Sequence, residues 1–172
     1  MSLSKRAFVA LGISLFCAAL PSCSGGKPQA LSFPIGQKVQ VGKLFYQVVD
    51  AQWSAELVGA KQPPKNRILQ LRLMVTNSGA SEISVPMLRL LNSAGTEIGE
   101  LTEIEGNPHW LGMIRRLEPA LTEEGHVYFD VPVGAYRLEV IDNSVADNER
   151  IAFIEIPASL APPPAAPGSG GM

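Results

Sequence analysis

The chain has 172 residues, with 14 Lys and Arg against 16 Asp and Glu for a formal net charge of −2. That balance argues against nucleic acid as a partner, because phosphate binding needs a face rich in Lys or Arg. The length suits one domain with tails, and a 46% hydrophobic composition must supply its core.

At the start, Lys5 and Arg6 precede an apolar run from Ala7 to Ala19 that ends at Leu20-Pro21-Ser22-Cys23. A basic segment, a short apolar run and small residues before a cut mark an export signal. The run falls short of the about 20 apolar residues that span a bilayer. Leu20 to Cys23 resembles the lipobox of bacterial lipoproteins, in which the signal is removed before the cysteine and acyl chains are attached to it. On this reading residues 1–22 are a signal peptide and Cys23 is the lipidation site. The alternative is an ordinary signal cut elsewhere, leaving a free thiol. Cys17 leaves with the signal, so no intramolecular disulfide is available. The mature chain then keeps 150 residues, with 12 basic and 16 acidic side chains. Several acyl chains on one residue give a durable hold on a membrane, where a single chain gives a marginal one.

Residues 23–36 open with the polar Ser24-Gly25-Gly26-Lys27 and read as a flexible tether. From 37 to 156 the pattern is that of strands. Leu69, Leu71, Leu73 and Val75 alternate with Gln70 and Arg72, the period of a half-buried strand. Asn77-Ser78-Gly79 closes that strand with turn residues. His126 to Val133 repeats the alternation, with Val127, Phe129, Val131 and Val133 on the inner side, and Pro132 means that the strand ends or lies at an edge there. Further strands are expected at Lys38 to Val41, Leu44 to Trp53, Ile83 to Leu91, Tyr136 to Ile141 and Ile151 to Ile156. Trp53 reads as core, and Ala60 to Asn66 as an exposed basic loop. The fold class expected is an all-β antiparallel sandwich of about seven to nine strands. Residues 157–172, built from Pro, Ala, Gly and Ser, read as a disordered tail.

The order of a tether, Phe45-Tyr46-Gln47-Val48-Val49, Val75-Thr76-Asn77-Ser78-Gly79, Leu90-Leu91-Asn92-Ser93-Ala94-Gly95, a Glu123-Glu124-Gly125 turn and Val127-Tyr128-Phe129-Asp130-Val131-Pro132 resembles a widespread family. Its members are uncharacterised bacterial lipoprotein domains with an immunoglobulin-like fold, similar to that of a secreted mycobacterial antigen. The resemblance runs from Val41 to Val140 and implies an extracytoplasmic sandwich, often lipid-anchored, with no catalytic residues to carry over. The long connection from Leu101 to Thr122 departs from the simplest members.

Chemistry is sparse. His109 and His126 are the two histidines, and neither accompanies a nucleophile turn, so no catalytic residue and no cofactor are assigned. His126 reads as solvated or hydrogen-bonded across strands. Glu97, Glu100, Glu103 and Glu105, and separately Asp142, Asn143, Asp147, Asn148 and Glu149, supply oxygen ligands, but in no ordered calcium spacing. A copper set of His109, Met113, Met87 and His126 matches no carrier spacing. No metal site is therefore assigned.

The candidate binding surface is Trp110, Leu111, Met113, Ile114, Arg115 and Arg116, since Trp and Arg dominate interfaces energetically. The competing reading has these residues cover one end of the sandwich. Together these features predict a non-catalytic, lipid-anchored module that binds another cell-envelope protein. The alternative is a lipoprotein that presents a solute or metal to a membrane partner. In an organism with two membranes, the absence of acidic residues directly after Cys23 resembles lipoproteins sorted to the outer membrane or the periplasmic face rather than retained at the inner one.

Overall fold

Alternating apolar residues need two sheets with one core between them, and the computed structural model has that arrangement over the residues it describes, 30–144 and 150–160. The signal peptide, Cys23, most of the tether and tail, and Asp147 to Glu149 lie outside the described residues. Among the described residues eleven strands form: β1 (Leu31–Pro34), β2 (Val39–Val41), β3 (Leu44–Ser54), β4 (Arg67–Asn77), β5 (Ile83–Ser84), β6 (Arg89–Leu91), β7 (Glu97–Gly99), β8 (Arg116–Leu117), β9 (Thr122–Val131), β10 (Tyr136–Asp142) and β11 (Arg150–Ile156).

One sheet runs β2-β3-β4-β9, another β1-β11-β10-β6-β7, and β5 pairs with β8 alone. Every pairing is antiparallel except β1 with β11, which is parallel. The inner face of β4 packs as its spacing predicts. Leu69 lies opposite Phe129 and Leu71 opposite Val127 on β9, while Leu73 and Val75 face Val48 and Tyr46 on β3. Leu138, Val140, Ile154 and Leu90 close the core from the other sheet. Fully burying side chains of this size contributes about 1.5–3 kcal/mol each. Asn77 ends β4 wholly buried, donating to Ser81 O and Leu117 O at 2.8 Å each and accepting from Gly79 N at 2.7 Å. That satisfies its amide and fixes the Asn-Ser-Gly turn.

Four features depart from the sequence reading. The tether is shorter, because Leu31 to Pro34 forms β1 against β11. The expected strand Ile83 to Leu91 is two strands in different sheets, interrupted at Pro86, which has no N–H to offer a ladder. Val133 lies past the end of β9 and is 60% exposed. Glu123-Glu124-Gly125 is no turn but lies within β9, paired with Leu73, Met74 and Val75. These additions bring the strand count above seven to nine; among the described residues no helix forms.

Candidate functional site

The connection from Glu100 to Leu121 crosses the free edge of β9 and is pinned to it by backbone bonds. Leu101 N donates to Tyr128 O at 2.7 Å, His126 N to His109 O at 2.6 Å, and Leu111 N to His126 O at 3.1 Å. An exposed strand edge invites unwanted pairing, and this crossover covers it. Gly125 is what lets it come so close. A Cβ there would meet Leu111 Cγ and Cδ2 at 2.8 Å and His109 O at 2.9 Å.

Side chains of the crossover alternate sides of that edge. Leu111 turns inward and joins the main core, whereas Trp110 turns outward onto a second cluster of Ile68, Ile104 and Tyr128. The chain then turns at Gly112, whose φ of +74° few other residues adopt without strain. Met113 and Ile114 project from this turn, 54% and 82% exposed. Arg115 goes back into the interior. Its guanidinium forks onto Glu100, with Nη1 to Oε1 at 2.9 Å and Nη2 to Oε2 at 2.6 Å, and its Nε donates to Gly112 O at 2.7 Å. Glu100 Oε1 also accepts from Leu88 N at 2.6 Å. Side-chain exposure of the pair is 1% for Arg115 and 0% for Glu100.

The six residues of the expected binding surface are therefore divided. Leu111 and Arg115 are not on the surface, because one fills the core beside Gly125 and the other has its charge neutralised inside. Trp110 is half-buried. Met113, Ile114 and Arg116 face outward, with Arg116 Nη1 3.9 Å from the exposed Glu82. Nothing in the local sequence announces that Arg115 is internal, since its partner lies 15 residues earlier.

The acidic clusters are likewise dispersed. Glu100 is taken by Arg115, and Glu105 pairs with Lys61 on the surface. Asp142 is a turn-holder, accepting from Lys43 N at 2.6 Å and Ser144 N at 2.8 Å. Burial opposes its charge, yet the bonds from Ser144 and Lys43 prevail and hold its carboxyl below the usual carboxylate range. Among the described residues no group of three or more His, Cys, Asp or Glu comes together to hold a metal.

Two clefts remain. An apolar one of about 450 Å³ lies between Pro34, Ile35, Leu91, Tyr136, Ile156 and Pro157. The other, of about 460 Å³ on the outer face of the β3-β4-β9 sheet, is lined by Ser54, Glu56, Asn107, His109, His126 and Tyr128. Here the histidines, 17 residues apart in sequence, meet edge to face with ring centroids 5.6 Å apart. Trp53, expected as core, is half-buried and packs against the main core, its ring centroid 6.5 Å from that of Tyr136.

Residues 33–151 match a sequence family described as a domain of unknown function, DUF4352. The chain belongs to this family. Among curated proteins nothing matches it. Solved structures do. The yjhA protein of Bacillus subtilis covers 70% of this chain and 98% of its own, at 17% identity and a TM-score of 0.55. A second B. subtilis protein, ycdA, assigned as a lipoprotein, covers 71% of this chain at 16% identity and a TM-score of 0.57, over only 38% of its own length. The secreted protein MPT63 of Mycobacterium tuberculosis covers 76% of this chain and 98% of its own, at 12% identity and a TM-score of 0.54. At such identities the likeness is one of fold, and it agrees with the resemblance read from the order of strands and turns.

Proposed function

We propose that this DUF4352 domain is a non-catalytic, lipid-anchored module held outside the cytoplasm, which docks another cell-envelope protein through the turn at Gly112 to Ile114. One observation carries the docking surface: two adjacent apolar side chains, Met113 at 54% and Ile114 at 82% exposure, stand on a turn fixed on either side by the buried Leu111 and Arg115. Apolar anchors on rigid backbone favour binding because little freedom remains to be lost on association. The exposed Arg116 next to them adds a charged rim. The lipobox ending at Cys23 supports the anchor and the location, as does the fold shared with a protein assigned as a lipoprotein and with a secreted one. Ser54 lines the histidine cleft but donates its hydroxyl to Glu56 O at 2.7 Å rather than to an imidazole, which supports the non-catalytic reading.

The test is photo-crosslinking in native cells with the reactive group at Ile114 and, as control, at the exposed Gln62, in native and Cys23→Ala forms. A discrete envelope protein captured from position 114 only, and only with Cys23 intact, is the expected result. The same background from both positions overturns the docking surface, and equal capture without Cys23 overturns the anchor.

A further inference from the structure

His109 and His126 belong to no part of the docking surface, and their placement is fixed with some care. His126 points outward because it alternates with the core residues Val127 and Phe129 along β9. His109 is brought to it by the backbone bonds that lay the crossover on the strand edge. Asn107 steadies the approach: its Oδ1 accepts from His109 N at 3.1 Å, and its Nδ2 donates to Tyr128 Oη at 3.1 Å and Val58 O at 3.3 Å. His126 Nδ1 is buried and has no hydrogen-bond partner. Buried polar atoms are paired in the large majority of cases, so this orphaned nitrogen, on a residue that lines the cleft, leaves an acceptor position to be filled.

The spacing of the rings, ordinary for an edge-to-face pair, is also one that a shared metal ion accepts. Two imidazoles that share one metal ion at about 2.0–2.1 Å, each with its centroid roughly 1.1 Å behind the nitrogen and at an angle of about 110–125°, have centroids roughly 5.2–5.6 Å apart. The observed separation is 5.6 Å. We propose that His109 and His126 form an open two-imidazole site for a divalent transition-metal ion of the copper(II) and zinc(II) class. Across the strand pair Arg72 lies opposite His126, and Asp50 and Glu124 supply the opposing negative charge. Met87 and Met113 do not line the cleft, so the soft donors that favour copper(I) are missing from it. Water or a donor carried by the ion completes the coordination, because no third His, Cys, Asp or Glu joins the pair among the described residues.

The test uses the full chain with Cys17 and Cys23 replaced by Ser, so that no thiol competes. Copper(II) chloride and zinc chloride are titrated in by calorimetry, with quenching of Trp110 as a second readout for copper. One ion per chain is expected, with His109→Gln and His126→Gln each weakening binding at least about tenfold and Met113→Leu leaving it unchanged. Binding that survives both histidine replacements, or no binding to the unsubstituted site, overturns the proposal. The copper(II) spin-resonance spectrum of the chain with both histidines decides the matter without relying on the fold of any histidine variant. Coupling to two imidazole nitrogens supports the site, and coupling to one or none overturns it.

Discussion

Glu100→Gln tests whether the crossover is held by its buried ion pair. The glutamate takes two bonds from the Arg115 guanidinium and one from Leu88 N, all inside the protein. With Gln there, the guanidinium keeps its charge and loses its counter-charge where water cannot replace it. Breaking a buried pair from one side costs about 3–5 kcal/mol. For a domain of this size each kcal/mol lowers Tm by about 3–5 °C, so a drop on the order of 10–20 °C is expected. Urea denaturation should show the midpoint falling with the slope unchanged. Glu100→Leu combined with Arg115→Met removes both charges together and should recover a large part of the loss. The remaining penalty is the orphaned Leu88 N–H, about 1–3 kcal/mol, since Gly112 O lies near enough to the surface to find water. The coupling between the two positions should therefore reach about 2 kcal/mol or more. A single replacement that costs under about 1 kcal/mol, or a double mutant whose cost is the sum of the singles, would refute the claim that this pair fixes the crossover.

Gly125→Ala should destabilise by about 1–3 kcal/mol in the same urea assay, because the new methyl meets Leu111 at 2.8 Å and backbone at 2.9 Å; a neutral result would show that the crossover gives way freely. Asp142→Asn should flatten the acid limb of the stability curve. The folded carboxyl titrates below the ordinary aspartate value of about 3.9, so its contribution is complete above that value and is lost as pH falls through the folded one. Native and variant curves that stay parallel below about pH 4 would contradict this, since the linkage confines the difference to that window.

How much of this was readable in advance depends on whether the deciding partner is near in sequence. The inner faces of β4 and β9 could be read because period-two alternation is local and a buried face tolerates no polar member. Tyr128 could not be placed. By alternation it belongs outside, yet the crossover and the β3–β4 loop fold over that face and bury it to 2% exposure. Arg115 misled for the same reason: a guanidinium is mostly a surface group unless paired, and its pairing is set by the fold. Gly125 looked like a turn residue, whereas its missing side chain serves the approach of a segment some 14 residues upstream. Leu31 to Pro34 sat beyond a Gly- and Ser-containing stretch and so read as tether, though only pairing with the last strand makes it β1. Both histidines stand out in the sequence, but their meeting depends on that same crossover.

The parallel pairing of β1 with β11 has a mechanical side. Leu31 lies beside Ala152 and Pro34 beside Glu155, so the first and last strands enter and leave at opposite ends of their shared ladder. Tension applied between the start of β1 and the end of β11 therefore runs along the strands and loads their hydrogen bonds together in shear, instead of peeling them one at a time. A domain tied down by its N-terminal side and pulled from its C-terminal side meets that force with its strongest geometry, and the four-residue length of β1 sets how many bonds share it.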